Sequence, residues 1–134
     1  MAANQIEKAI LTDKAIIFKL PFLTAGLNGS DGLIRQHFTA AKKVKDKLKM
    51  LILSQKPKEL RAIDEPVKVT YIRYCSVFSD WDNAASSFKH IGDALTDAKV
   101  IIDDSPHIIK EFTTRQIKCK RVDVRTEIII EFIY

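Results

Sequence analysis

The sequence predicts an α+β domain in which a mixed sheet of about four strands carries packed helices, in the order β-α-β-α-β-β. Three observations lead there. The chain has 134 residues, enough for one buried core and short for two, so positions 1–134 make a single domain. Stretches rich in branched aliphatic and aromatic residues, at Lys14–Leu23, Val67–Phe78, His107–Lys118 and Val122–Ile133, read as strands. Between them, Leu33–Leu53 and Asp82–Ala98 place their apolar residues at helical spacing.

Residues 1–13 are mixed in character, a short helix or a frayed start, and suggest no function. Lys14–Leu23 follows as a strand that Pro21 ends, because proline has no N–H to give to a ladder. Thr24–Gly32 is rich in glycine, but the glycines are too irregularly placed for a phosphate-binding or dinucleotide fingerprint. It is either a turn feeding the next helix or a loop whose Asn28 reaches an active site or DNA. In Leu33–Leu53, residues Ile34, Phe38, Val44, Leu48 and Ile52 line one side. Arg35, Lys42, Lys45 and Lys49 run down another, with Lys43 and Lys47 on its shoulder and Asp46 as the interrupting acid. Such a face is either solvated surface or a stripe that tracks phosphates. His37 falls on the apolar side and reads as a packed histidine. Gln55–Pro66, with two prolines, is a loop.

Val67–Phe78 alternates, with Val67, Val69, Tyr71, Arg73, Cys75 and Val77 on one face; Arg73 is the anomaly there. In the following helix Asp82, Ser86, Lys89 and Asp93 share a stripe, opposite Ala84, Phe88, Ile91 and Leu95. Asp80 or Asp82 stands where a helix N-cap would, beside free N–H groups and the positive end of the dipole. Val100–Ile102 should bury and so carry Asp103 and Asp104 to a fixed place beside the helix start. Pro106 stops that element. The last two strands, joined through Cys119–Arg121, are expected to pair as a hairpin, although the joint lacks Asn-Gly or Gly-Gly. The final strand is too apolar to stand exposed, which puts it inside the sheet or at a dimer contact.

Capping does not explain why Asp103 and Asp104 return to the neighbourhood of Asp80 and Asp82. Clustered carboxylates repel and raise one another's pKa unless a cation answers them. Oxygen donors without histidine or cysteine suit Mg²⁺, or Mn²⁺ in its place, better than zinc.

Asp80-x-Asp82-Asn83, then Lys89, Asp93-Ala-Leu and Asp103-Asp104, resembles the RusA-type Holliday junction resolvases, small phage-derived endonucleases that cut four-way DNA junctions. The strong likeness covers residues 80–106. A weaker one touches Lys19-Leu20-Pro21 and Leu27-Asn28-Gly29. The resemblance implies that Asp80, Asp82 and Asp104 hold the metal, that Lys89 is a catalytic lysine, and that Asn83 matches the family's asparagine. It further implies a homodimer acting on branched double-stranded DNA in recombination and repair. One departure is the interval from Asn83 to Lys89, longer here by about three residues. That is close to one helical turn, so the lysine keeps its azimuth but moves about 4.5 Å along the axis.

The composition agrees with such a partner. Net charge is +5 at pH 7 and the isoelectric point about 9.2, which favours a polyanion. Cys75 and Cys119 are isolated, which excludes structural zinc by ligand count and points to reduced thiols in a cytoplasmic protein. No apolar run is long enough for a membrane span or a signal-peptide core. Two rivals stay open: a non-catalytic basic DNA-binding module whose acids are caps and ion-pair partners, and a metal-dependent phosphatase for small monoesters.

Overall fold

The computed structural model describes residues 8–25 and 38–133. Asn28, Arg35 and His37 therefore lie outside the described residues. The elements are β1 (Ile10–Leu11), β2 (Ala15–Leu20), α1 (Phe38–Gln55), β3 (Val67–Cys75), α2 (Trp81–Ser86), α3 (Lys89–Asp97), β4 (Ile109–Lys118), a 3-10 turn (Arg121–Asp123) and β5 (Arg125–Phe132). The α+β class and the mixed sheet are as expected. The sheet has five strands rather than four, because Ile10 and Leu11 turn back on Ile17 and Ile16. A two-residue strand leaves no period to read, and this one is made by the Thr12 side chain. Its hydroxyl accepts the N–H groups of Lys14 and Ala15 and so closes the turn.

The strand order is β1-β2-β5-β3-β4, with β4 parallel to β3 and every other pair antiparallel. This overturns the hairpin expected between the last two strands. β3 lies between them, and the link through the 3-10 turn passes across its end, where Cys119 N donates to Cys75 O at 2.9 Å. With no residues there suited to a two-residue turn, the chain spans two strand widths instead of one. The last strand lies inside the sheet, as its apolar sequence demanded.

Alternation sets the main buried face, although Ile72 on the other side of β3 is buried too. Ile16, Phe18 and Leu20 of β2, Val67, Val69 and Tyr71 of β3, and Ile128 and Ile130 of β5 are all buried. Leu48 and Ile52 of α1 and Ile91 and Leu95 of α3 cover them, so the core is one layer of helices on one face of the sheet. Cys75 and Cys119 are both free, as read from the sequence, and burial pushes the Cys75 thiol pKa up against the opposing charge of Arg73. Among the described residues no helix is long and apolar enough to cross a membrane.

A parallel β3–β4 pair needs a long crossover, and residues 76–108 supply it with α2 and α3. The sequence suggested one helix there. It is in fact divided at Ser87 and Phe88, where the backbone tightens to i→i−3 bonding (Phe88 N to Ala85 O, 3.2 Å). The adjoining serines explain the division. Ser86 Oγ donates to Asn83 O and Ser87 Oγ to Ala84 O, and such local bonds compete with regular helix. After α3, Lys99 takes a left-handed φ of 59° and reverses the chain into Val100–Ile102. Ile101 is buried and bridges Ile63 in parallel, fixing the segment that bears Asp103 and Asp104.

Candidate functional site

The crossover and the adjoining strand β4 frame a cavity of about 510 Å³. Its floor is apolar: Ala85, Phe88, Pro106, Ile109 and Phe112. Three polar side chains stand on its wall, Ser86 from the end of α2, Lys89 from the start of α3 and Asp104 from the segment before β4. The sequence reading named Lys89 and Asp104 and placed Ser86 on the helical stripe of Lys89. The fold brings these three together.

Asp104 is held where a missing side chain makes room. A Cβ added at Gly92 would stand 3.0 Å from Asp104 Oδ2, so the carboxylate rests against α3 at its one glycine. On the other side of Asp104, the Ser105 hydroxyl bonds the Asp103 carboxylate, and that bond first of all holds the Asp103 pKa below the usual carboxylate value. Asp103 is thus bound into its own turn, while Asp104 faces the cavity.

Asp80 and Asp82 are exposed at the other end of α2. Asp80 occupies the N-cap position without a side-chain cap bond, and Asp82 Oδ1 accepts the Asn83 N–H at 2.9 Å. Asp82 lies four residues before Ser86 on α2, hence on the same side of it. Their oxygen donors suit a hard divalent cation. The meeting of three carboxylates is not formed, however: among the described residues no group of three or more His, Cys, Asp or Glu side chains could hold a metal ion.

Charge runs from this site onto α1. Asp93 takes Lys89 at 3.7 Å, one turn along α3, and Lys45 of α1 at 3.4 Å. Lys42 and Lys49 are exposed on α1, while Lys47 lies 4.7 Å over the Phe22 ring. The lysine stripe of α1 thus reaches the candidate site through Asp93.

Arg73 explains how the crossover is fastened to the sheet. It is only 7% exposed, on the buried face of β3, so the alternation read from sequence has the right register. Its Nη1 donates to Thr24 O (3.0 Å), Tyr71 Oη (3.1 Å) and Ser87 Oγ (2.6 Å). The guanidinium therefore joins the segment after β2, the strand β3 and the α2–α3 division. Its Nε has no hydrogen-bond partner. Tyr71 Oη also bonds Ser87 Oγ at 2.6 Å, and the Tyr71 ring lies 5.3 Å from that of Phe88.

His90, on α3, is 5% exposed and neither ring nitrogen has a partner. Burial first, and Lys45 second, push its pKa down, with Asp93 opposing. It borders a second cavity of about 280 Å³ between α1 and the segment after β2.

Residues that the sequence reading missed had signals of different strength. Arg73 stood out by polarity on an apolar face, and Gly92 as a glycine within a helix. Phe112 had none, since its importance comes from which strand lies beside which. No protein-family model and no curated protein matches this chain.

Proposed function

We propose that this protein is a Mg²⁺-dependent, structure-selective endodeoxyribonuclease that resolves four-way DNA junctions in recombination and repair. The observation that carries the reading is the convergence of Asp104 and Lys89 on one cavity wall, with Lys89 linked through Asp93 to Lys45 of α1. A carboxylate and an ammonium from separate elements, on a chain of net charge +5, suit a phosphodiester with a divalent cation.

Asp80, Asp82 and Asp104 are the carboxylates proposed to hold Mg²⁺, or Mn²⁺ in its place. Mg²⁺ takes as few as one or two carboxylates and completes its shell with water and substrate phosphate, so a closed three-carboxylate cage before DNA arrives is not required. When bound, such an ion polarises the phosphate and lowers the pKa of the attacking water. Lys89 is proposed to answer the charge that builds on the phosphoryl oxygens. Asp93 holds Lys89 in reserve at 3.7 Å, and a phosphate would compete for it. Asn28, Arg35, Lys42, Lys45 and Lys49 are proposed to follow the DNA backbone. A homodimer would set two sites for paired cuts in opposed strands. Action on intracellular DNA would place the protein in the cytoplasm of a bacterial or phage-infected cell.

The second reading is a non-catalytic DNA clamp, and it is favoured by the absence, among the described residues, of any three-carboxylate group. Cleavage and binding of a synthetic four-way junction separate the two. The nuclease reading expects Mg²⁺-dependent cutting by the wild type, and an Asp82→Asn variant that binds the junction but no longer cuts it. A wild type that binds and never cuts would leave the clamp. Turnover of p-nitrophenyl phosphate without junction cleavage would leave a phosphatase.

A further inference from the structure

The cavity beside Asp104 is larger and more apolar than the handling of a phosphate requires. A phosphodiester needs cations and donors, whereas five of the side chains here offer only carbon. Two of the five, Phe88 and Phe112, are aromatic, and Tyr71 packs against both. Phe88 and Phe112 have ring centroids 4.8 Å apart, and Tyr71 lies 5.3 Å from Phe88 and 6.4 Å from Phe112. Phe88 and Tyr71 are buried, and Tyr71 is held through its hydroxyl by Arg73 and Ser87. Phe112 packs against both rings and stays 41% exposed. An accessible ring that lines an apolar hollow is a stacking surface.

We propose that this cavity receives one unstacked nucleobase of the DNA, laid against Phe112, with the adjoining phosphate at Lys89.

The occupant follows from the pairing of chemistries. A ligand that fills an apolar, ring-walled space and ends at an ammonium has a flat uncharged body and an anionic attachment, which describes a nucleotide. The lysines of α1, reaching Lys89 through Asp93, suit a chain of phosphates rather than a single one. A base within a duplex is covered on both faces, so only one displaced from the stack could enter, and a branch point supplies such bases at least cost. The inference rests on the reading of the substrate as branched DNA, and adds that structure selectivity arises partly from this one base.

The test is a cycle between one base and one ring. Four-way junctions with a single abasic nucleotide, moved stepwise through the arms next to the branch point, are titrated in EDTA against the wild type, Phe112→Ala and Phe112→Leu. Base–aromatic stacking is worth about 1–3 kcal/mol, so the wild type is expected to lose about 5- to 160-fold in affinity at one position. Phe112→Ala should show that loss on the intact junction and no more on the abasic one. Phe112→Leu guards against misfolding, since it keeps the apolar volume and removes only the flat face; Phe112→Trp should restore the coupling. Equal sensitivity of wild type and variant at every abasic position overturns the proposal. So does conversion of a dimer to monomers by Phe112→Ala, which would make this face a contact between copies. Mg²⁺ cleavage of the same junctions keeps the two readings apart. Cutting without coupling removes the base pocket alone, and coupling without cutting removes the nuclease reading alone.

Discussion

Replacing Gly92 by alanine sets a gain in helix stability against the position of Asp104. Within a helix such as α3 the change ordinarily stabilises by about 1 kcal/mol. The new methyl would stand 3.0 Å from Asp104 Oδ2 and 3.2 Å from Cε2 of Phe88, both inside ordinary contact distance. Asp104 is exposed and its carboxylate can swing away, whereas Phe88 is buried and packed between other rings. Pushing a side chain about 30° off its rotamer costs about 0.5–1.5 kcal/mol, so the two effects nearly cancel. Gly92→Ala is therefore expected to change stability by about 1 kcal/mol or less, or about 5 °C at most in unfolding midpoint. If the protein is the proposed nuclease, activity should respond far more, because displacement of a reacting group by about 1 Å can cost about 100-fold in rate. Circular dichroism on heating measures the first effect. Mg²⁺-dependent junction cleavage measures the second, with affinity in EDTA as the control for binding. An alanine variant that melts normally and cuts at the wild-type rate would show that the place of the Asp104 carboxylate does not matter. A loss above about 3 kcal/mol would show instead that the Phe88 ring cannot yield.

Two further perturbations test how the site is supported. His90 has its pKa lowered in the folded state, first by burial, so the unfolded chain binds the proton more readily. Its contribution is complete above the unfolded value of about 6.5 and is lost as pH falls through the lower, folded value. His90→Gln should flatten the pH dependence of urea midpoints below about pH 6.5, and an unchanged acid limb would refute this. Arg73→Lys keeps the charge but not the placement of Nη1, the one nitrogen that meets Thr24, Tyr71 and Ser87 together. It should cost about 2 kcal/mol in urea unfolding, and a loss below about 0.5 kcal/mol would mean that the placement of Nη1 is dispensable.

The period of the apolar residues made β2, α1 and β3 readable, since each keeps one face on one core for several turns or pleats. It even located Arg73 correctly on the buried face, where the oddity was chemical rather than a slip of register. What period cannot tell is which strand lies next to which. The apolar pattern of β4 and β5 would be the same side by side or apart, so the intervening β3 left no mark on either. The division at Ser87–Phe88 was written in two adjacent serines, but a helical stripe drawn through them hides it. At the site, the buried Val100–Ile101 did deliver Asp104 to the helices. It stands over Gly92 in α3 and beside Ser86, rather than in a ring with Asp80 and Asp82. Sequence could count the carboxylates but could not measure the length of α2 that lies between them.

The seam of the sheet is its last strand in chain order. Without β5 between β2 and β3, the first hairpin and the parallel pair would share no ladder, and each would present an unpaired backbone edge. Thr126 Oγ1 closes onto Phe22 O across 104 positions, and Phe132 N reaches Lys14 O, so the keystone contacts are among the most distant in the chain. Such wiring gives the sheet a high contact order, the kind of topology that tends to fold slowly, whereas the cleft with Asp104 is built wholly from the crossover and β4.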